Sequence, residues 1–369
     1  MEILVIAAVL ALLFLAVRLL YKRFWNRRLT CEINFTEDYA IEGDLSALSE
    51  VIVNDKLMPM PVVEIDFHMD RRLLFSDGQN TTVSDQTYRR DVFALSVRQK
   101  ITRTLPFKCD GRGYFRIDES GLLARDLFLT QKFLTSHPQH TDFYVLPRPV
   151  SLEPIEIPFS RIMGAVLSRR KVYDDPFEFA GLREYTRGDP MKYINWKATA
   201  HAGEMLVNLH ESTLSQRVLI AIDMEGKGVR HISDLNEAAV RIAAALAERL
   251  LGLGVEIGLY SNGTNVQTGN LWKLDSVAGA GSMLFLKKQL ACLDGGDGLI
   301  PVLDTLPGFD EGREEDDLLI LVSRNDREEL TRDFSELTGK AQGVQIMPGR
   351  TRPETLPAYK NVNVLWMEV

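Results

Sequence analysis

The sequence predicts a chain of the α/β plus β class, with an apolar N-terminal helix, a β-rich domain and a C-terminal α/β domain. Three observations support this division. Residues 3–17 hold no charged or polar side chain, residues 31–105 alternate apolar and polar side chains in short runs, and beyond residue 217 apolar strands alternate with helical segments. Period-two alternation indicates half-buried strands. Apolar strands that alternate with helices indicate a largely parallel sheet that is covered on both faces.

Composition and charge exclude several classes of protein. The chain of 369 residues is 45% hydrophobic and 25% charged, which is typical of a folded protein. Its net charge of -8 disfavours a nucleic-acid partner, because nucleic-acid binders normally carry a basic surplus. Cys31, Cys109 and Cys292 form no CxxC pair, so the sequence predicts no thiolate zinc site and favours a reducing compartment.

Residues 1–28 are predicted to be a transmembrane anchor with a basic juxtamembrane segment. The span covers residues 3–21, close to the ~20 residues that cross a bilayer, and Arg18 can snorkel to the headgroups. A secretory signal peptide carries positive charge before its apolar run, whereas here only Glu2 precedes the run and basic residues follow it. The positive-inside rule therefore predicts a single-pass protein of the inner (cytoplasmic) membrane, with its soluble domains in the cytoplasm.

Residues 29–150 are predicted to form a β-sandwich. Turn residues such as Asp110-Gly111 separate short alternating runs, and several strands at this spacing are typical of a sandwich. Between Arg112 and Phe128 the pattern predicts a strand, a turn and a second strand. Pro147-Arg148-Pro149 marks the end of the domain. The other predicted strands are 31–35, 49–53, 61–67, 88–97 and 99–105.

Residues 151–212 form a separate segment whose centre is locally basic. Asp189 before Pro190 is a candidate cap for a short helix, and residues 204–211 are typical of a strand. The segment resembles the hallmark of the domain-of-unknown-function 58 family of bacterial membrane proteins. The matching residues are Arg183, Tyr185, Gly188, Asp189, Lys192, Ile194, Trp196, Lys197 and Ala198. Family members often carry histidine where this chain has Asn195, so an acid-base role is not expected at that position.

The motif is interpreted as a surface that binds a protein partner. Arginine and aromatic side chains dominate interface energetics, and basic side chains complement an acidic partner. The alternative is structural: Asp189 pairs with a neighbouring arginine and Trp196 lies in the core. The predicted partner-binding residues are Arg183, Tyr185, Arg187, Asp189, Lys192, Trp196 and Lys197.

Residues 213–369 are predicted to form a doubly wound α/β domain. The resemblance implies a von Willebrand factor A-like domain, in which a divalent cation is commonly held by an Asp-x-Ser-x-Ser loop after the first strand. Here Asp223 ends that strand, but residues 224–227 read Met-Glu-Gly-Lys and supply neither hydroxyl. Hard cations need oxygen ligands, so Asp223 and Asp326 are interpreted as a degenerate site without a metal. No other cofactor is expected.

The favoured function is a non-catalytic, membrane-anchored scaffold or adaptor. Members of the family look like partners of MoxR-type AAA+ ATPases, which implies a role in assembly or maturation of envelope proteins. The sequence has no phosphate-binding loop and no nucleophile at a recognisable elbow. Two alternatives remain: a metal-dependent or hydrolytic enzyme with a site around Asp189, His201 and Asp223, and a structural envelope component.

Overall fold

The computed structural model has a mixed α/β fold with an apolar N-terminal helix and a large β-rich region, as the sequence predicts. It describes residues 1–75, 80–84, 86–169, 179–186, 191, 194–210, 217–226, 230–296, 298–307, 317–339, 341–353 and 355–369. The chain divides into two compact units. The first contains Met1–Val150, Gly263–Trp272 and Ser282–Gly296, and the second contains Ser151–Asn262, Lys273–Gly281 and Asp297–Val369.

The described residues form regular elements along the whole chain. The helices are α1 (Glu2–Phe24), α2 (Glu153–Arg169), α3 (Trp196–Ala202), α4 (Arg230–Gly252), α5 (Met283–Ala291) and α6 (Glu328–Thr338). The strands are β1 (Leu29–Phe35), β2 (Tyr39–Ile41), β3 (Leu45–Asn54), β4 (Met60–Asp70), β5 (Leu73–Phe75), β6 (Thr81–Val83), β7 (Gln86–Leu95), β8 (Gln99–Cys109), β9 (Gly113–Arg125), β10 (Lys132–Leu146), β11 (Phe179–Glu184), β12 (Leu206–His210), β13 (Arg217–Ile222), β14 (Glu256–Asn265), β15 (Leu271–Val277), β16 (Leu293–Asp294), β17 (Leu318–Val322), β18 (Gly343–Gly349) and β19 (Val362–Glu368).

Helix α1 is built from strong helix formers, with neither glycine nor proline in its interior. Among the described helices it alone is long and apolar enough to cross a membrane, a property that signal sequences share. Its apolar side chains are mostly exposed, whereas Tyr21 near its C-terminal end is only 3% exposed. This contrast means that one end of the helix belongs to the protein core and the rest does not.

The β-rich region consists of two sheets that share one hydrophobic core. Their strand orders are β1-β3-β8-β5 and β2-β10-β9-β4-β7-β6. Burial alternates along most strands, as half-buried sheets require. Ile33 and Phe107 from the first sheet lie in the same buried cluster as Ile65 and Phe143 from the second. Phe35 stacks on Phe143 with ring centroids 4.7 Å apart, which joins the sheets across the core.

The predicted turn between Arg112 and Phe128 is wrong. Residues 113–125 form the single strand β9, which pairs with both β4 and β10. A Cβ atom at Gly121 would lie 2.5 Å from Oδ1 of Asp66 on β4. The glycine is therefore explained by close approach of two strands rather than by a turn.

The C-terminal region contains a sheet with the strand order β15-β14-β13-β17-β18-β19. The pairs β13–β14, β13–β17, β17–β18 and β18–β19 are parallel, which confirms the predicted largely parallel sheet. The order reverses between β13 and β17. In open α/β sheets this reversal opens a crevice at the carboxyl ends of the strands.

A group of buried charged side chains lies in the first unit. Asp91 accepts hydrogen bonds from Nε of Arg89 at 2.5 Å and from Nη1 of Arg103 at 2.7 Å. Glu50 is 1% exposed, and neither of its carboxylate oxygens has a hydrogen-bond partner among the described residues. Burial, with a smaller contribution from the Asp91 carboxylate, raises the pKa of Glu50 to about 7.

Glu50→Gln is expected to reduce the pH dependence of stability. The ordinary pKa of 4.5 applies to the unfolded chain, so the contribution of Glu50 is fully present below that pH and is lost as the pH rises through about 7. Wild type should lose roughly 3 kcal/mol of unfolding free energy from this group between those limits. Thermal unfolding of the detergent-solubilised chain from pH 5 to pH 8 measures the difference. Exposed Glu32→Gln is the control, and equal pH slopes in wild type and Glu50→Gln would contradict the assignment.

Candidate functional site

The described part of the sequence motif lies on a two-stranded sheet and a short helix in the second unit. β11 and β12 pair antiparallel, with Arg183 opposite Val207. Ile194 forms an isolated bridge to Val207, and both side chains are buried. The bridge fixes the start of α3 against β12.

Asn195 is the N-cap of α3. Its Oδ1 accepts a hydrogen bond from the backbone N–H of Ala198 at 3.0 Å, and its own N–H donates to the carbonyl of Leu206 at 2.8 Å. Oγ1 of Thr199 accepts from the N–H of Leu206 at 3.0 Å, which ties the helix to β12. A side chain that accepts from the first turn stabilises a helix start. Asn195 thus has a structural role, while the predicted cap Asp189 lies outside the described residues.

Trp196 is the first residue of α3, and it is 61% exposed. The alternative that placed Trp196 in the core is therefore wrong. Ile194 is the buried residue that packs against β12. Helix α3 begins directly after the cap at Asn195, and its first residue, Trp196, faces solvent. Three more apolar side chains of this substructure are exposed: Leu182, Met191 and Met205.

Two basic residues of the motif are sequence neighbours of these exposed apolar residues: Arg183 follows Leu182, and Lys197 follows Trp196. Arg183 and Lys197 are exposed, and Nη1 of Arg183 donates to the carbonyl of Glu184 at 3.1 Å. Tyr185 is half-buried, and its N–H donates to the carbonyl of Met205 at 2.8 Å. The predicted site residues Arg187, Asp189 and Lys192 lie outside the described residues. We define the motif surface as Leu182, Arg183, Met191, Trp196, Lys197 and Met205.

A second polar group lies where the strand order reverses, at the carboxyl ends of β13 and β17. Asp223 follows β13 and is buried. Its carboxylate accepts hydrogen bonds from Oγ of Ser323 at 2.7 Å, Nδ2 of Asn262 at 3.1 Å and the N–H of Glu225 at 3.2 Å. Asp223 follows β13, Asn262 lies within β14 and Ser323 follows β17, so these hydrogen bonds link three adjacent strands.

In the described structure the second predicted carboxylate does not join Asp223, and a basic side chain lies at the same edge of the sheet. Asp326, the other predicted carboxylate, is exposed and shares no hydrogen bond with Asp223 in the described part of the chain. Arg324 donates to Oδ1 of Asn236 at 3.2 Å and to the carbonyl of Glu225 at 3.0 Å, which puts a cation at this edge of the sheet. Among the described residues no three His, Cys, Asp or Glu side chains cluster as metal ligands would.

The residues of the enzymatic alternative are not joined in the described structure. His201 is exposed on α3, and among the described residues it shares no hydrogen bond or ion pair with Asp223. Sequence reasoning missed Asn262, Ser323 and Arg324, which make or flank the network at Asp223. Their position at strand ends was a usable signal, because polar residues directly after apolar strands collect at one edge of a parallel sheet.

A model of the family described as "Protein of unknown function DUF58" matches residues 181–269, a range that contains the motif surface, Asp223 and Asn262. No curated protein matches the chain. A non-cellulosomal cohesin from Archaeoglobus fulgidus is 14% identical and covers 35% of this chain and 96% of its own, with a TM-score of 0.21. A CARDB domain from Pyrococcus furiosus is 7% identical and covers 31% of this chain and 90% of its own, with a TM-score of 0.20. Likenesses this weak carry no argument.

Asp223→Ala is expected to lower the unfolding free energy of the second unit by about 2 kcal/mol, because its buried donors lose their acceptor. Asp326→Ala removes an exposed carboxylate and should change stability by about 0.5 kcal/mol or less. Chemical denaturation of both variants measures the two effects. Equal stability of the two variants would show that the network at Asp223 does not hold the strands together.

Proposed function

We propose that the protein is a membrane-anchored, non-catalytic adaptor that binds a protein partner through the motif surface. The observation that carries this proposal is the exposure of Trp196 within the segment that the family model matches. Tryptophan is among the residues most enriched in interface hot spots, and methionine is enriched at interfaces. Exposed apolar side chains grouped on one small substructure are typical of an interaction site.

Charge indicates the chemistry of the partner. Arg183 and Lys197 follow Leu182 and Trp196 in the sequence, and both are exposed. An acidic segment with an apolar anchor complements such a surface, since opposite charges steer encounter and fix register. The identity of the partner, a MoxR-type AAA+ ATPase in assembly or maturation of envelope proteins, rests on the family resemblance alone.

The packing of α1 supports a retained membrane anchor rather than a cleaved signal sequence. The hydroxyl of buried Tyr21 donates to the carbonyl of Pro59 at 2.6 Å. The ring of Trp25 stacks on Phe133 with centroids 5.4 Å apart. Cleavage after the predicted span, residues 3–21, would remove Tyr21 from the hydrophobic core of the first unit. We place the anchor in the inner membrane and both units in the cytoplasm, because the basic residues follow the span.

The C-terminal region is proposed to be a von Willebrand factor A-like binding module. Its strand order and the position of Asp223 after the first strand of the sheet support this assignment. Ser323 and Asn262 donate to this carboxylate, and the guanidinium of Arg324 brings a positive charge to the same edge of the sheet, which disfavours a bound cation. The module would thus use its protein surface rather than a metal for recognition.

Trp196→Ala is expected to weaken binding of a MoxR-type ATPase from the same cell by about tenfold or more, as loss of a hot-spot anchor does. Lys197→Glu should weaken it by reversing a charge. The measurement is a saturable pull-down with the full-length, detergent-solubilised chain, and folding is checked by circular dichroism. Leu253→Ala, at an exposed apolar residue in the same unit, is the control. A folded wild-type chain that does not bind the ATPase would contradict the partner assignment.

If α1 is a retained anchor, the mature protein in its native cell still contains this helix. Intact mass should include residues 1–28, and the chain should resist alkaline carbonate extraction, because a spanning helix is not removed with peripheral proteins. Detection of a mature chain that begins after the apolar run would identify α1 as a signal sequence instead.

A further inference from the structure

A groove of about 690 Å³ lies in the first unit, beside the C-terminal end of α1. We call it the juxtamembrane groove. Its walls are the last turns of α1, residues 56–59 between β3 and β4, and Leu127 after β9. A groove at this position lies where a spanning helix leaves the hydrocarbon and meets the headgroups.

One wall of the groove is apolar and exposed. Leu57 is 74% exposed, and Leu20 and Leu127 are also exposed. Leu57 and Leu127 belong to loops of the β-rich region, where a water-soluble surface would normally carry polar side chains. Together with Leu20 on α1 they give the groove lining an apolar part that an acyl chain would cover.

The other wall of the groove is basic. Arg27 and Arg28 are exposed at its rim, and Lys56 is half-buried within it. Nζ of Lys56 donates to the carbonyl of Trp25. Burial lowers the pKa of Lys56 to about 8, so its charged form is poorly solvated there. An anion beside Lys56 would stabilise the charged form.

The loop that follows β9 carries three consecutive exposed apolar residues, Leu127, Phe128 and Leu129. Buried Asp126 holds the loop in shape, because its Oδ1 accepts from the N–H groups of Thr130 at 2.6 Å and Gln131 at 2.9 Å. The hydrogen bonds to Asp126 therefore fix the conformation of the loop that presents these apolar residues.

The tip of this loop contacts the apolar part of α1. The ring centroids of Phe128 and Phe14 are 4.8 Å apart. Phe14 lies within the apolar run and, at 1.5 Å per residue, about 10 Å along the helix from Tyr21. If α1 spans a bilayer, Phe128 reaches the depth of the acyl chains. The juxtamembrane groove then opens between the headgroups and the hydrocarbon.

We propose that the juxtamembrane groove binds an anionic phospholipid. Its phosphate contacts Arg27, Arg28 and Lys56, and an acyl chain covers Leu20, Leu57 and Leu127, while the tip of the loop inserts beside α1. The apolar wall distinguishes this site from one for free phosphate, and the basic wall distinguishes it from a purely apolar docking surface. The inference rests on the proposed membrane anchor.

The test uses the full-length protein in phosphatidylcholine nanodiscs that contain a trace of spin-labelled phosphatidylglycerol or spin-labelled phosphatidylcholine. Electron paramagnetic resonance measures the fraction of each lipid that the protein immobilises. Wild type should prefer phosphatidylglycerol, and Arg27→Gln and Lys56→Gln should each reduce the preference by about fivefold, as expected for a cation near an anionic headgroup. Lys108→Gln, at an exposed lysine at the far end of β8, is the matched control and should leave the preference unchanged.

Arg27 is exposed, so Arg27→Gln keeps the test valid even if Lys56→Gln impairs folding. Equal immobilisation of the two lipids by a nanodisc-inserted wild type would overturn the lipid site and leave the anchor intact. Loss of the preference in millimolar inorganic phosphate would also overturn it, because the groove would then be a free-phosphate site. A chain that does not enter phosphatidylcholine nanodiscs would instead overturn the proposed anchor.

Discussion

The burial of Tyr21 in the core of the first unit is the interaction on which the proposed anchor and the juxtamembrane groove both depend. Most of α1 exposes apolar side chains, yet its final turns must fit the core of the first unit. The hydrogen bond from the Tyr21 hydroxyl to Pro59 satisfies the polar group that this burial removes from water. Trp25 and Phe14 extend the contact along both directions of the helix. Helix α1 is therefore part of the fold of the first unit, and the juxtamembrane groove exists because of this packing.

In the second unit, the polar side chains around Asp223 are hydrogen-bonded to one another, whereas apolar side chains of the motif surface are exposed. At the strand reversal, where α/β proteins commonly bind ligands, Asp223 is engaged by Ser323 and Asn262. At the motif, the side chains of Asn195 and Thr199 accept hydrogen bonds from backbone N–H groups of α3 and β12, but Trp196 is exposed. The proposed protein-binding role rests on this difference.

Residue periodicity was sufficient to predict much of the fold, because burial on one face of a sheet imposes alternation. It predicted β1 and the fully buried β13 close to their observed bounds. It failed in β9, because glycine is common in turns but Gly121 lies within the strand, where it allows close approach to Asp66. Periodicity also does not reveal β18, because Gln345 and Pro348 interrupt its apolar run although the strand is buried. Long-range contacts decide such positions, and single-sequence patterns do not contain them.

The site was less predictable than the fold. The motif pointed to Trp196, but its exposure depends on the cap at Asn195 and the bridge at Ile194. A photo-crosslinking amino acid incorporated at position 196 in the native cell tests whether the motif surface binds a protein, with position 253 as the comparison. We expect a discrete protein adduct that forms at 196 and not at 253. Crosslinks only to lipid, or no adduct specific to 196, would contradict the assignment of the motif surface as a protein-binding site.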